Sequence, residues 1–170
     1  MLRLGYKQEA IMNKNTLAML LKLMITGMGI CGLFIYFIFF PQAGQFIVSR
    51  FPEYSHCYRP WLGFLWLTGI PCAAVLVLMW KFSTTVKQDR VFIKDNVLRV
   101  TMICYLAVFD SLFFVAGNIL YLFLGMNHPS VVIASLGVAF LGACIAIVSA
   151  AIADFINRAT ELKEENDLTI

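Results

Sequence analysis

One acidic residue stands deep in an apolar run. Asp110 lies ten residues into the segment 100–125. At about 1.5 Å per helical residue that is about 15 Å in, near the middle of a bilayer core about 30 Å thick. A carboxyl there must be neutral, paired with a cation, or turned to a hydrated cavity. Lys22 is the basic residue near the start of the first apolar run that is placed to reach inward, and Thr26, Tyr36, Thr68, Ser111, Ser135 and Ser149 are candidate hydrogen-bond partners. Asn118, eight positions on, falls about 80° around the same helix, loosely on the same side. Two kinds of chemistry fit. One is a proton or cation site in a small ion-coupled carrier using Asp110. The other is a polar clamp between helices. Carriers show internal repeats, broken helices or several converging polar groups. One Asp and one Asn favour the clamp.

A second cluster lies between the apolar runs. Glu53, His56, Cys57 and His128 fall in connections on one side of the chain's path, but their spacing matches no zinc pattern. No metal and no cofactor are expected. There is no phosphate-binding glycine loop, nucleophile elbow or carboxylate pair facing a cleft, so no enzyme is expected. Four of the five cysteines, Cys31, Cys72, Cys104 and Cys144, sit one per apolar run and read as small packing residues. Cys57 is the thiol outside the runs, open to reaction or an intermolecular disulfide. Leu141–Cys144 has the letters of a lipoprotein box in the middle of a run, a chance match.

The elements that hold these residues follow from composition. Of 170 residues, 61% are hydrophobic and 14% charged, with mean hydropathy +0.82. Soluble domains carry about 45–50% apolar and about 25% charged residues. This chain has too few polar groups for a water-facing skin, which excludes an ordinary soluble domain, a disordered chain and direct nucleic-acid binding. Four runs, 23–40, 61–80, 100–125 and 131–153, are each long and apolar enough to span a bilayer. The remaining pieces are too short for a separate soluble domain. The expected fold is all-α: a four-helix transmembrane bundle forming a single membrane domain over 1–170. Its helices fall at about 17–40, 61–80, 100–125 and 131–155, with a tail at 156–170.

Lys and Arg set the orientation. With both termini inside, Arg3, Lys7, Lys14, Lys22, Lys81, Lys87, Arg90, Lys94, Arg99, Arg158 and Lys163 are cytoplasmic, against Arg50 and Arg59 outside. The positive-inside rule gives N-in, C-in. A basic face beside an anionic leaflet accounts for the net +3 charge. The first run is too long for a signal-peptide core and lacks a cleavage pattern. Met12, followed by Asn13-Lys14-Asn15, reads as a conventional start, with 1–11 an upstream extension.

Within the spans, Pro71 is expected to kink the second, freeing a carbonyl for Thr68 or a neighbour. The fourth carries two small-residue rows, Ser135-Ala139-Ala143 and Gly142-Ala146-Ala150. Such rows let helices pack closely. Bundle packing is the reading, a homo-oligomer face the alternative. Five residues, 126–130, join the last two helices as an antiparallel hairpin. Connection 41–60 has room for a short helix on the outer surface. In connection 81–99, Asp95 or Asn96 is placed to cap the third helix. The last helix continues past Asp154 for two or three turns. Asn166 and Asp167 weaken it, leaving Leu168-Thr169-Ile170 as an extended apolar end suited to docking.

The tail Glu161-Leu162-Lys163-Glu164-Glu165-Asn166-Asp167-Leu168-Thr169-Ile170 resembles the C-terminal signature of the YoaS-like bacterial family, small four-helix integral membrane proteins of unknown function. Phe92, Asn96 and Arg99 resemble that family's second connection, although Asp89-Arg90-Val91 replaces a glycine common before the Phe. The resemblance implies a gene neighbour of the Cro/repressor helix-turn-helix type. Together with the tail it points to an interaction protein. Phe92, Asn96, Arg99, Leu162, Glu165, Asn166, Asp167, Leu168, Thr169 and Ile170 then form a cytoplasmic face for such a regulator. The other readings are the carrier and an immunity or membrane-stress protein acting through its outer loops.

Overall fold

A computed structural model describes residues 14–88 and 90–168 of the chain. Those residues are helical nearly throughout, and four helices are long and apolar enough to cross a membrane. The all-α fold with four spans is as the sequence predicts. Helix α1 (Lys14–Phe34) passes through a π-helical turn (Ile35–Phe39) into α2 (Phe40–Arg50); a 3-10 turn (Pro52–Cys57) leads to α3 (Tyr58–Lys87). Helices α4 (Lys94–Phe123) and α5 (Pro129–Leu168) complete the chain.

The first span corrects the expected boundary at residue 40. Pro41 has no N–H and its ring crowds the preceding turn, so it usually ends or kinks a helix. Here the π turn just before it widens the helix: the Phe40 N–H bonds back to Ile35, one residue further than in an α-helix. The next such bond would join residue 41 to the Tyr36 carbonyl, and Pro41 cannot make it. The Trp66 indole Nε1 donates to that carbonyl instead, at 3.1 Å. The helix therefore runs on to Arg50, and the short helix with room in 41–60 is the mostly exposed 3-10 turn Pro52–Cys57 rather than a longer α-helix. Trp66→Phe keeps the ring and removes this donor, leaving a carbonyl unsatisfied in lipid. A loss of about 1–3 kcal/mol is expected, read as a lower unfolding midpoint in detergent.

The spans stand in chain order. Helix α3 packs on α1 and α2, α4 on α3, and α5 on α4; among the described residues no Cα of α5 comes within 8 Å of α1, α2 or α3. The α1–α3 seam is antiparallel. The Ser83 hydroxyl donates to the Ala18 carbonyl at 3.0 Å, Gly29 faces Leu76, and Gly69 lies under the Tyr36 ring. In the α3–α4 seam, Phe64 meets Phe113, Phe114 and Tyr121 with ring centres 5.4–5.8 Å apart. Gly117 leaves the space that Phe64 fills.

The α4–α5 seam selects from both small-residue rows. Ser135, Ala139, Gly142, Ala146, Ser149, Ala153, Ile156 and Thr160 face inward or nearly so, while Ala143 and Ala150 are exposed. The alternating four-three spacing is a heptad seam, which keeps one narrow face against an antiparallel partner. A row spaced by fours alone drifts around the helix, which is why the last member of each expected row faces away.

Both loops of α4 are held by buried asparagines. At one end Gly125, at φ +67°, closes α4. Gly125 N–H bonds to Leu122 and Met126 N–H to Tyr121, the Schellman pattern that favours a glycine. Asn118, 1% exposed, accepts from the Asn127 side chain at 2.9 Å. At the other end stands Asn96.

Candidate functional sites

The intramembrane site begins from Asp110 on α4. Its Oδ2 accepts the Cys72 thiol of α3 at 3.6 Å. Its Oδ1 is shielded and has no hydrogen-bond partner. The Cys72 thiol also interacts with the Tyr36 hydroxyl. Tyr36 sits in the π turn, and its hydroxyl lies 3.3 Å from Thr68 Oγ1. Thr68 Oγ1 donates to the Leu65 carbonyl at 2.7 Å, so it accepts from Tyr36. Asp110, Cys72, Tyr36 and Thr68 thus form a polar chain across three elements. Thr68 is turned to Leu65 rather than to the carbonyl freed by Pro71.

Two residues expected near Asp110 are elsewhere. Lys22 lies over the Trp80 ring, 5.1 Å from its centre, a cation–π contact at the end of the span. Asn118 donates to its own helix at Phe114, 2.8 Å away, and turns to the loop. Thr26, Ser111 and Ser135 likewise bond to carbonyls of their own helices, as hydroxyl groups in apolar helices commonly do. Tyr36 and Thr68 were legible as candidates from their hydroxyls. Cys72 was not, because a thiol in an apolar run reads as packing.

The end that carries Lys22, Lys81, Lys87, Lys94 and Arg99 is built around Asn96, which is 0% exposed. Its Nδ2 donates to the Val91 carbonyl and Thr85 Oγ1 at 2.8 Å and to the Arg90 carbonyl at 3.2 Å. Its Oδ1 accepts from Arg99 at 2.8 Å. The cap of α4 is Ile93, with no side-chain bond; neither Asp95 nor Asn96 caps. Asn96 sits in the first turn and faces back under the loop. Asn96 and Arg99 of the family-like motif therefore form one internal bond, while Phe92 is exposed.

Helix α5 holds 40 residues, about 60 Å at 1.5 Å each, twice a bilayer core. It does not give way to an extended tail: Asn166, Asp167 and Leu168 are helical. Asn and Asp lower helical propensity only by tenths of a kcal/mol each, which a helix already formed and packed upstream, as far as Thr160, overrides. Thr169 and Ile170 lie outside the described residues. Lys94 pairs with Glu164 at 3.0 Å and Arg158 with Asp154 at 3.0 Å. Leu162 is 62% exposed, and Glu161, Glu164, Glu165 and Asn166 are exposed beside it.

At the opposite end, Glu53, Cys57 and His128 line a cleft of about 420 Å³ together with Phe40, Ile47 and Trp61. Cys57 is buried rather than an open thiol, with its sulfur 3.2 Å from His56 Nε2. Among the described residues no three His, Cys, Asp or Glu side chains are grouped to hold a metal.

The family whose model matches is described as "Protein of unknown function (DUF2975)", over residues 42–170. The match starts just past Pro41 and includes Asn96, Asp110, Asn118 and α5. The uncharacterized membrane protein YoaS of Bacillus subtilis (strain 168) is 26% identical over 158 residues, covering 92% of this chain and 98% of that protein. No solved structure matches. With four membrane-length helices and a family match over most of its length, the chain is a multi-pass membrane protein belonging to the DUF2975 family.

Proposed function

We propose that the protein acts by interaction rather than catalysis, holding a cytoplasmic partner at the membrane through the projecting end of α5. The observation that carries this reading is Leu162. It stands eight residues beyond Asp154, the first charge after the apolar run, about 12 Å further along the helix. A large apolar side chain held in water on a rigid helix is a recognition feature when a partner covers it. Its acidic neighbours Glu161, Glu164 and Glu165 outnumber Lys163 and Lys94, which pairs with Glu164, so the surrounding surface keeps a net negative charge. A basic partner is steered to such a surface. The DNA-binding face of a small helix-turn-helix regulator, the gene neighbour implied by the family resemblance, has that charge. Bound there, it is kept from DNA. Asn96 and Arg99 serve this face by fixing the loop beside it.

The test uses full-length protein in membrane vesicles with the regulator encoded by the adjacent gene. Vesicles carrying the wild type retain the regulator on sedimentation, and added salt releases it, because exposed charges are screened. Leu162→Glu, which leaves the α4–α5 seam intact, lowers retention by about tenfold, equivalent to about 1.4 kcal/mol. Equal retention by this variant and by a chain ending at Asp167 removes the proposal.

A further inference from the structure

Docking at α5 leaves Asp110 unused, and its surroundings define what it binds. The basic side chains lie at the ends of the spans, and Lys22 is held over Trp80. From α1 and the π turn the facing titratable group is Tyr36; from α3 it is Cys72, beside Thr68. Between Pro129 and Ala153, α5 carries Cys144 as its sole titratable residue and no charge. Among the described residues, no ion pair reaches Asp110. An unpaired carboxylate at this depth is costly.

We propose that Asp110 is an intramembrane proton-binding site, with Cys72 as a fixed donor on Oδ2 and Oδ1 as the atom that gains and loses the proton. On uptake an O–H bond forms at Oδ1 and one breaks in hydronium, leaving water; release is the reverse. A proton fits better than a metal cation because a hard cation takes about six oxygens. Here Oδ1 is one free oxygen, Oδ2 already accepts a thiol, and Thr68 Oγ1 is engaged by Leu65 and Tyr36. Thiol sulfur is a weak acceptor and no substitute ligand.

A lipid-soluble carbodiimide tests this directly. Dicyclohexylcarbodiimide reacts with a protonated carboxyl: the acid proton moves to a carbodiimide nitrogen and the carboxyl oxygen bonds to the central carbon. The O-acylisourea then rearranges to a stable N-acylurea, adding the mass of the whole reagent. Full-length protein in liposomes is labelled at graded pH and mapped by mass spectrometry. The expected adduct is on Asp110, with Glu161 and Glu164 in water unlabelled. Its rate falls with rising pH, approaching roughly tenfold per unit above the midpoint. Cys72→Ser, which keeps a donor, retains the label, and Cys72→Ala moves the midpoint. No adduct on wild-type Asp110, a rate independent of pH, or protection by sodium at fixed pH each overturns the proposal. Because the wild type carries the readout, a misfolded Asp110→Asn does not obscure it.

Discussion

Asn96→Leu is expected to lower the unfolding midpoint of the detergent-solubilised protein more than any other single substitution discussed above. The leucine fits the volume but offers no polar atom. The Arg90 and Val91 carbonyls, Thr85 and the Arg99 guanidinium each lose their bond to Asn96, whose own side chain has no exposed surface. Each unsatisfied buried group costs about 1–3 kcal/mol, and partial relaxation of the loop leaves a net loss of about 3–5 kcal/mol, the range for breaking a buried polar network. Asn96→Asp is a sharper probe. It keeps an acceptor for Arg99 and turns the donor into a second acceptor against two carbonyls, so it is expected to be nearly as damaging. Faster proteolysis between Gln88 and Ile93 should accompany both losses. An unchanged midpoint in both variants would show that the loop holds without its asparagine.

Gly142→Leu is expected to part α5 from α4. A Cβ at Gly142 collides with the Ser111 hydroxyl, which is fixed by its bond to the Ala107 carbonyl at 2.7 Å. Turning the hydroxyl away gives up that bond, and the Ser111 Cβ still lies 3.2 Å from the new atom. Alanine can be accommodated by a small shift. Leucine requires the helices to separate, and they are matched along a whole heptad seam. Overpacking of this kind costs about 1–3 kcal/mol or more. Gly137 is the matched control: a Cβ there meets nothing within 4 Å. Gly137→Leu should be neutral in the same titration with sodium dodecyl sulfate, where Gly142→Leu unfolds at lower detergent. Equal midpoints for the two variants would place the tight approach elsewhere.

The spans were legible because lipid demands long apolar runs, and each run became a helix. Their ends were less legible. Pro41 ends a helix unless a wider turn precedes it and a donor from another span completes it; neither the π turn nor Trp66 is visible in a local pattern. Asn166 and Asp167 weaken an isolated helix, but α5 is stabilised by packing that begins far upstream. Small residues marked the α4–α5 interface, while the choice between Ala143 and Ser149 depends on the partner helix. The same distinction separates Asp110 from its neighbours. A charge in lipid identifies itself by its cost, whereas Cys72 is an ordinary apolar-run residue until α4 brings a carboxyl to it. Asn96 and Phe92 stand together in one motif of the sequence. Burial divides them, one building the loop and the other exposed on it.

The chain-order arrangement of the spans bears on how the protein is made. Each helix finds its docking surface on the one synthesised just before it. In a closed ring the first helix would wait in the bilayer with an open face until the last arrived. Here α3 can settle on α1, α4 on α3 and α5 on α4 as each emerges, so assembly proceeds by neighbours and the loop to be closed is always short. The last step is also the tightest fit, with Gly142 against Ser111, and it fixes the projecting end of α5 in place only after every other span is inserted.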